Sequence, residues 1–151
     1  MKTKPVPVGN LKQLTIAVSD LLYEDRNGNV YNRVMKFMVD MLHFLTPDHA
    51  LCADALSYAT TYWIEEQGDD SNLLHQRSLL SAYLTKHDLW YKQNHKPADQ
   101  IKVYLSVLQP FNAKTADENC DKLYFFIENL IKLGIPKGRI SETLAKYFPD
   151  V

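Results

Sequence analysis

Val30-Tyr31-Asn32-Arg33-Val34-Met35-Lys36-Phe37-Met38-Val39-Asp40-Met41-Leu42-His43-Phe44-Leu45 is the stretch whose reading decides the fold class. Val30, Val34, Phe37, Met38, Met41, Leu42 and Leu45 recur at the three- and four-residue spacing that keeps side chains on one face of a helix. Adding Tyr31, Met35 and Phe44 widens the apolar arc to about half the circumference, as a helix with several neighbours requires. The segment is therefore expected at the centre of a helical domain. Asp40 and His43 break its apolar run, which falls far short of the ~20 residues needed to cross a bilayer.

The pattern continues on both sides. Leu11, Leu14, Val18, Leu21 and Leu22 place a first helix at 11–25, with Asn10 as its N-cap and Arg26-Asn27-Gly28-Asn29 as the turn that ends it. Thr46-Pro47-Asp48 reads as the start of a third helix that runs to Gln67 and stops at Gly68. A fourth helix is expected over 72–94 and a fifth from Pro97 to Pro110. Thr115 and Glu118 match a capping box opening a sixth helix that reaches Leu133. Gly134-Ile135-Pro136 then supplies a helix stop, and 137–148 forms the last helix.

The expected fold is all-α, a compact array or bundle of about seven helices with short connections. Residues 10–151 form a single helical domain, and residues 1–9, Pro-interrupted and without an apolar core, a flexible N-terminal arm that is no secretory signal. Cys52 and Cys120 lie far apart with no CxxC spacing, the usage of reduced thiols. A cytoplasmic location is expected.

Charge narrows function more than motifs do. The totals, 17 Lys+Arg against 18 Asp+Glu, exclude a generic polyanion binder. Hydrophobic content of 46% excludes wholesale disorder. Position by position the chain is polarised. Asp48, Asp54, Glu65, Glu66, Asp69 and Asp70 fall between Thr46 and Asn72 with no Lys or Arg. From Leu73 to Lys102 come Arg77, Lys86, Lys92, Lys96 and Lys102 against Asp88 and Asp99. An acidic surface at Glu65, Glu66, Asp69 and Asp70 suits a basic partner.

On a helix continued through 94, His87 falls mid-stripe with Gln76, Trp90 and Tyr91, and Arg77 lies at the margin. Phe125 projects away from the apolar stripe of the sixth helix, among Asp121, Lys122 and Glu128. Such apolar and aromatic residues off the core favour a contact surface. The preferred reading is a non-enzymatic protein-binding or regulatory domain: a small bacterial regulator, adaptor or toxin-neutralising partner. It meets another protein, or a second copy of itself, through His87, Trp90, Tyr91, Glu65, Glu66, Asp69, Asp70 and Phe125.

Two alternatives rest on other residues. Lys86, Lys92, Lys96 and Lys102 interleave with Trp90 and Tyr91 as in single-strand nucleic-acid surfaces. The segment from Leu130 to Lys146 resembles the opening of a helix-turn-helix, with Lys137 and Arg139 placed to touch phosphate, although the chain ends where a recognition helix should begin. The third reading is catalytic. His87-Asp88, with His43 before and Asp117 or Asp121 after, resembles the ordered set of the metal-dependent HD phosphohydrolases. That resemblance implies a divalent metal held by inward His and Asp side chains and hydrolysis of a phosphate ester. The five glycines form no P-loop or GxGxxG pattern and no serine sits in a GxSxG elbow, so motifs call for no cofactor.

Overall fold

The computed structural model describes residues 10–151, and the expectation for residues 1–9 lies outside them. Seven α-helices follow one another with no strand among the described residues: α1 (Leu11–Glu24), α2 (Asn29–Leu42), α3 (Ala50–Ala59), α4 (Asp70–Lys86), α5 (Lys96–Leu105), α6 (Ala116–Lys132) and α7 (Lys137–Tyr147). The all-α array expected from periodicity is what forms.

α2 is the centre. Tyr31, Val34, Met35, Phe37, Met38, Val39, Met41 and Leu42 are all buried, so its apolar arc faces neighbours on several sides. α1 packs on α6 and α7, and α3 on α4 and α5, while α5 also meets α6. α7 closes over α2: the Arg33 guanidinium stacks on the Phe148 ring at 4.1 Å, and the Tyr147 hydroxyl donates to Asp40. The turn before α2 is held by Asp25, whose buried carboxylate accepts from the backbone N–H of Gly28 at 3.1 Å and of Tyr31 at 2.8 Å. Gly28 sits at φ 85, and a Cβ there would meet the Phe111 ring at 2.9 Å. Both conditions demand glycine.

Several helix ends differ from expectation, each because another group takes the polar contact. Asn10 precedes α1 but its side chain makes no capping bond. Thr46 and Pro47 do not open α3, because Gln100 of α5 clamps that link, donating to the Thr46 carbonyl and accepting from the Asp48 N–H, both at 3.2 Å. The His49 ring caps α3 instead, accepting from the Leu51 N–H at 3.0 Å. At α6 the capping box does not form, since the Thr115 hydroxyl donates to the Asn112 carbonyl at 2.9 Å. α3 runs on as a π-helical turn over Thr60–Ile64, where the Glu65 N–H reaches back to the Thr60 carbonyl at 3.1 Å.

The largest departure is at α4, which ends at Lys86 rather than near Asn94. The Asp88 N–H bonds to the Thr85 carbonyl and the Leu89 N–H to the Leu84 carbonyl at 2.8 Å, with Asp88 at φ 53. This is the Schellman arrangement, and buried Leu89 supplies its apolar contact. An aspartate stands where glycine is usual, which hid the stop from a reading based on glycine. Residues 87–95 form an irregular link, so the basic and aromatic residues there do not share the face of a fourth helix.

Candidate functional site

Shortening α4 changes where its expected site residues stand. His87 is exposed at the C-cap, its ring 4.3 Å from that of Tyr83, and does not face the core. Gln76 is buried as the stripe predicts. Tyr91 stands 92% exposed. Trp90 folds back instead, its indole N–H donating to the Thr85 hydroxyl at 2.8 Å, and remains 39% exposed.

Trp90 thereby becomes one wall of a groove between α4, the 87–95 link, α5 and α6, with a cavity of about 480 Å³. Phe125 of α6 and Leu105 of α5 supply the rest of its apolar lining. Arg77 from α4, Lys102 from α5, and Lys122 with Asp121 from α6 supply its charge. A smaller extension of about 200 Å³ continues past Lys102 and Phe125 to Lys92 and Lys132. Trp90, Phe125 and Lys102, singled out separately in the sequence, are brought together here. Arg77 and Lys122 are the residues that sequence reasoning missed. Arg77 stood at the stripe margin, and helical projection put Lys122 on a solvated face.

Lys122 is half-buried. Its ammonium donates to the Tyr31 hydroxyl at 3.3 Å and lies 5.5 Å from the centre of that ring. Burial, reinforced by the nearby Arg77 charge, lowers its pKa to about 8, with Glu118 pulling the other way. Among the described residues, none of Arg77, Lys102 and Lys122 joins an ion pair; the ion pairs fall at Arg33, Lys36, Lys132 and Lys146. Lys102 donates only to the Lys92 carbonyl, at 3.2 Å.

The acidic residues are used differently. Glu66 pairs with Lys36 at 3.3 Å, Asp69 caps α4 by accepting from the Asn72 N–H at 2.8 Å, and Asp70 accepts from the Tyr62 hydroxyl at 2.6 Å. Glu65 is exposed beside them. Glu66, Tyr62 and a set of Asn and Gln side chains line a polar cavity of about 560 Å³ beside the π-helical turn, but its one carboxylate is already neutralised by Lys36.

Of the residues of the alternatives, Lys92 and Lys102 meet in the extension of the groove, and the others stand apart. Lys86 and Lys96 are exposed outside the groove. Lys137 lines a separate groove between α1 and α6, and the Arg139 guanidinium stacks 4.7 Å over Phe44. α7 buries Ile140, Ser141 and Leu144 while packing on α1 and α2, so its inner face is not offered to a duplex. The His and Asp residues of the HD-like set are likewise apart. His43 shares a contact with the Thr60 hydroxyl at 3.3 Å, and His87 and Asp88 point to solvent from the α4 stop. Among the described residues no three His, Cys, Asp or Glu side chains converge as metal ligands. No described helix is long and apolar enough to cross a membrane.

No family model matches the chain, and neither the curated proteins nor the solved structures contain a significant match.

Proposed function

We propose that the chain is a protein-binding domain of a regulator or adaptor, and that the groove between α4 and α6 receives an acidic segment of its partner. The observation that carries this reading is the meeting of Trp90 and Phe125 with Arg77, Lys102 and Lys122, cations that join no ion pair among the described residues. Aromatic residues and arginine are the residue types that anchor protein interfaces, because they bury much area at small entropic cost. Three cations against Asp121 make the groove complementary to a negatively charged segment carrying an apolar anchor. The acidic turn at 65–70 is a weaker candidate, since three of its four carboxylates already serve contacts within the fold.

Selection from a random displayed-peptide library against the intact chain tests the reading. Enriched peptides should place acids beside an aromatic or aliphatic residue. They should lose affinity at least tenfold, about 1.4 kcal/mol, on Trp90→Ala or Phe125→Ala. Absence of enrichment, or binders indifferent to both substitutions, would reject it.

A further inference from the structure

The groove lining holds three cations against one carboxylate. Arg77 is close enough to disfavour the charged form of half-buried Lys122. Asp121, also in the lining, forms an ion pair with neither. Two like charges lining one groove cost stability where nothing offsets them; Glu118 offsets Lys122 in part, and a bound anion would add to that offset.

We infer that the part of the groove lined by Arg77 and by Lys122, whose ammonium donates to the Tyr31 hydroxyl, takes a phosphate group, carried on a phosphorylated side chain of the partner segment. This rests on the reading of the groove as a docking site. The charge sum favours phosphate over a single carboxylate. Within the lining, Arg77, Lys102 and Lys122 against Asp121 leave two positive charges, with Glu118 acting on Lys122 from outside it, and a phosphate monoester brings about −1.5 to −2 at neutral pH. The Arg77 guanidinium adds the planar donor fork that suits phosphate oxygens, and Lys122 a point charge. The arrangement also separates a single phosphate from a nucleic-acid backbone. The cations converge on one cavity of about 480 Å³, whereas Lys86, Lys96, Lys137 and Arg139 lie outside it and lay no continuous track.

The test is titration of the full chain with inorganic phosphate at constant ionic strength, followed by the Trp90 indole resonance. Saturable binding that weakens at least tenfold in both Lys122→Met and Arg77→Gln, and is unchanged in Glu65→Gln, is the expected result. A short phosphoserine peptide should bind at least tenfold more tightly than its serine form, with the same dependence. Silence at phosphate concentrations on the order of 10 mM, or binding that survives both substitutions, would overturn the inference. So would an oligothymidylate that binds more tightly than the phosphopeptide and depends on Lys92 and Lys96. Arg77→Gln, at a half-buried position, keeps the test open should Lys122→Met fail to fold. Phosphate silence alongside groove-dependent library peptides rejects only the phosphate; phosphate binding with no peptide docking rejects the docking reading.

Discussion

The acidic turn at 65–70 and the cationic groove across α4, α5 and α6 carry opposite charge and opposite duties. Glu66, Asp69 and Asp70 hold a lysine, a helix N-terminus and a tyrosine hydroxyl in place. Among the described residues Arg77, Lys102 and Lys122 join no ion pair, yet Lys122 is half-buried. Charge that the fold uses is structural, and charge that the fold carries at a cost is what the proposed docking reading draws on. A sequence shows both kinds alike.

The comparison breaks first at binding. Replacing Arg77 and Lys122 together, by Gln and Met, should weaken an acidic groove ligand more than a hundredfold, about 2.7 kcal/mol. Glu65→Gln with Asp70→Asn should leave the affinity within about twofold, near 0.4 kcal/mol, and fluorescence titration distinguishes the two. Equal losses would erase the distinction between the regions.

Stability should respond in the reverse sense. Lys122→Met removes a half-buried cation and is expected to raise unfolding free energy at pH 7 by about 1–3 kcal/mol. The folded pKa of Lys122, about 8, lies below the ordinary lysine value of 10.5, so between these values the unfolded chain binds more protons. Stability attributable to Lys122 therefore rises with pH across that window, and the advantage of the methionine variant should shrink from pH 8 upward. Cys52, whose thiol burial pushes up to about 12, acts in the opposite direction above pH 9 but is common to both proteins and cancels in the difference. Urea unfolding of the pair at several pH values gives the result.

Removing a structural acid should cost stability and leave binding alone. Asp69→Ala withdraws the cap from α4 and should destabilise by about 1 kcal/mol with unchanged groove affinity.

The smallest effect concerns two helix ends. α6 stops at Gly134 (φ 95), where the Ile135 N–H reaches the Leu130 carbonyl at 3.0 Å. α4 stops in the same way at Asp88, without glycine. Asp88→Gly should therefore gain about 0.5–1 kcal/mol, and Gly134→Ala should lose a comparable amount, because only glycine adopts the left-handed region freely. Thermal melts order the two.

These two stops also mark how far the sequence could be read. The α6 stop was legible because Gly134-Ile135-Pro136 announces its own geometry. The α4 stop was not, since Asp88 tolerates the turn without advertising it, and the whole placement of His87, Trp90 and Tyr91 followed from that one residue. The seven helices and the central place of α2 were visible because periodicity reports burial directly. Trp90, Phe125 and Lys102 were recognised individually, but their meeting depends on α5 lying between α4 and α6, which no local pattern encodes. Lys122 escaped for a related reason. Its helix position looks solvated, and only the approach of Arg77 and Tyr31 from other helices encloses it. His49 capping α3 in place of Thr46 is a third case, decided by Gln100, about fifty positions away.

The two tryptophans provide the most direct measurement. Trp63 is buried, with its indole N–H on the Val107 carbonyl at 2.8 Å, whereas Trp90 lines the groove. Titration of an isotope-labelled chain with a selected acidic peptide, followed by the two indole N–H resonances, separates groove from core. Docking in the groove predicts a saturating shift of Trp90, with shifts at Lys102 and Phe125 and little change at Trp63 or at residues 65–70. A shift confined to residues 65–70, or to the groove between α1 and α6, with Trp90 unmoved, would contradict it.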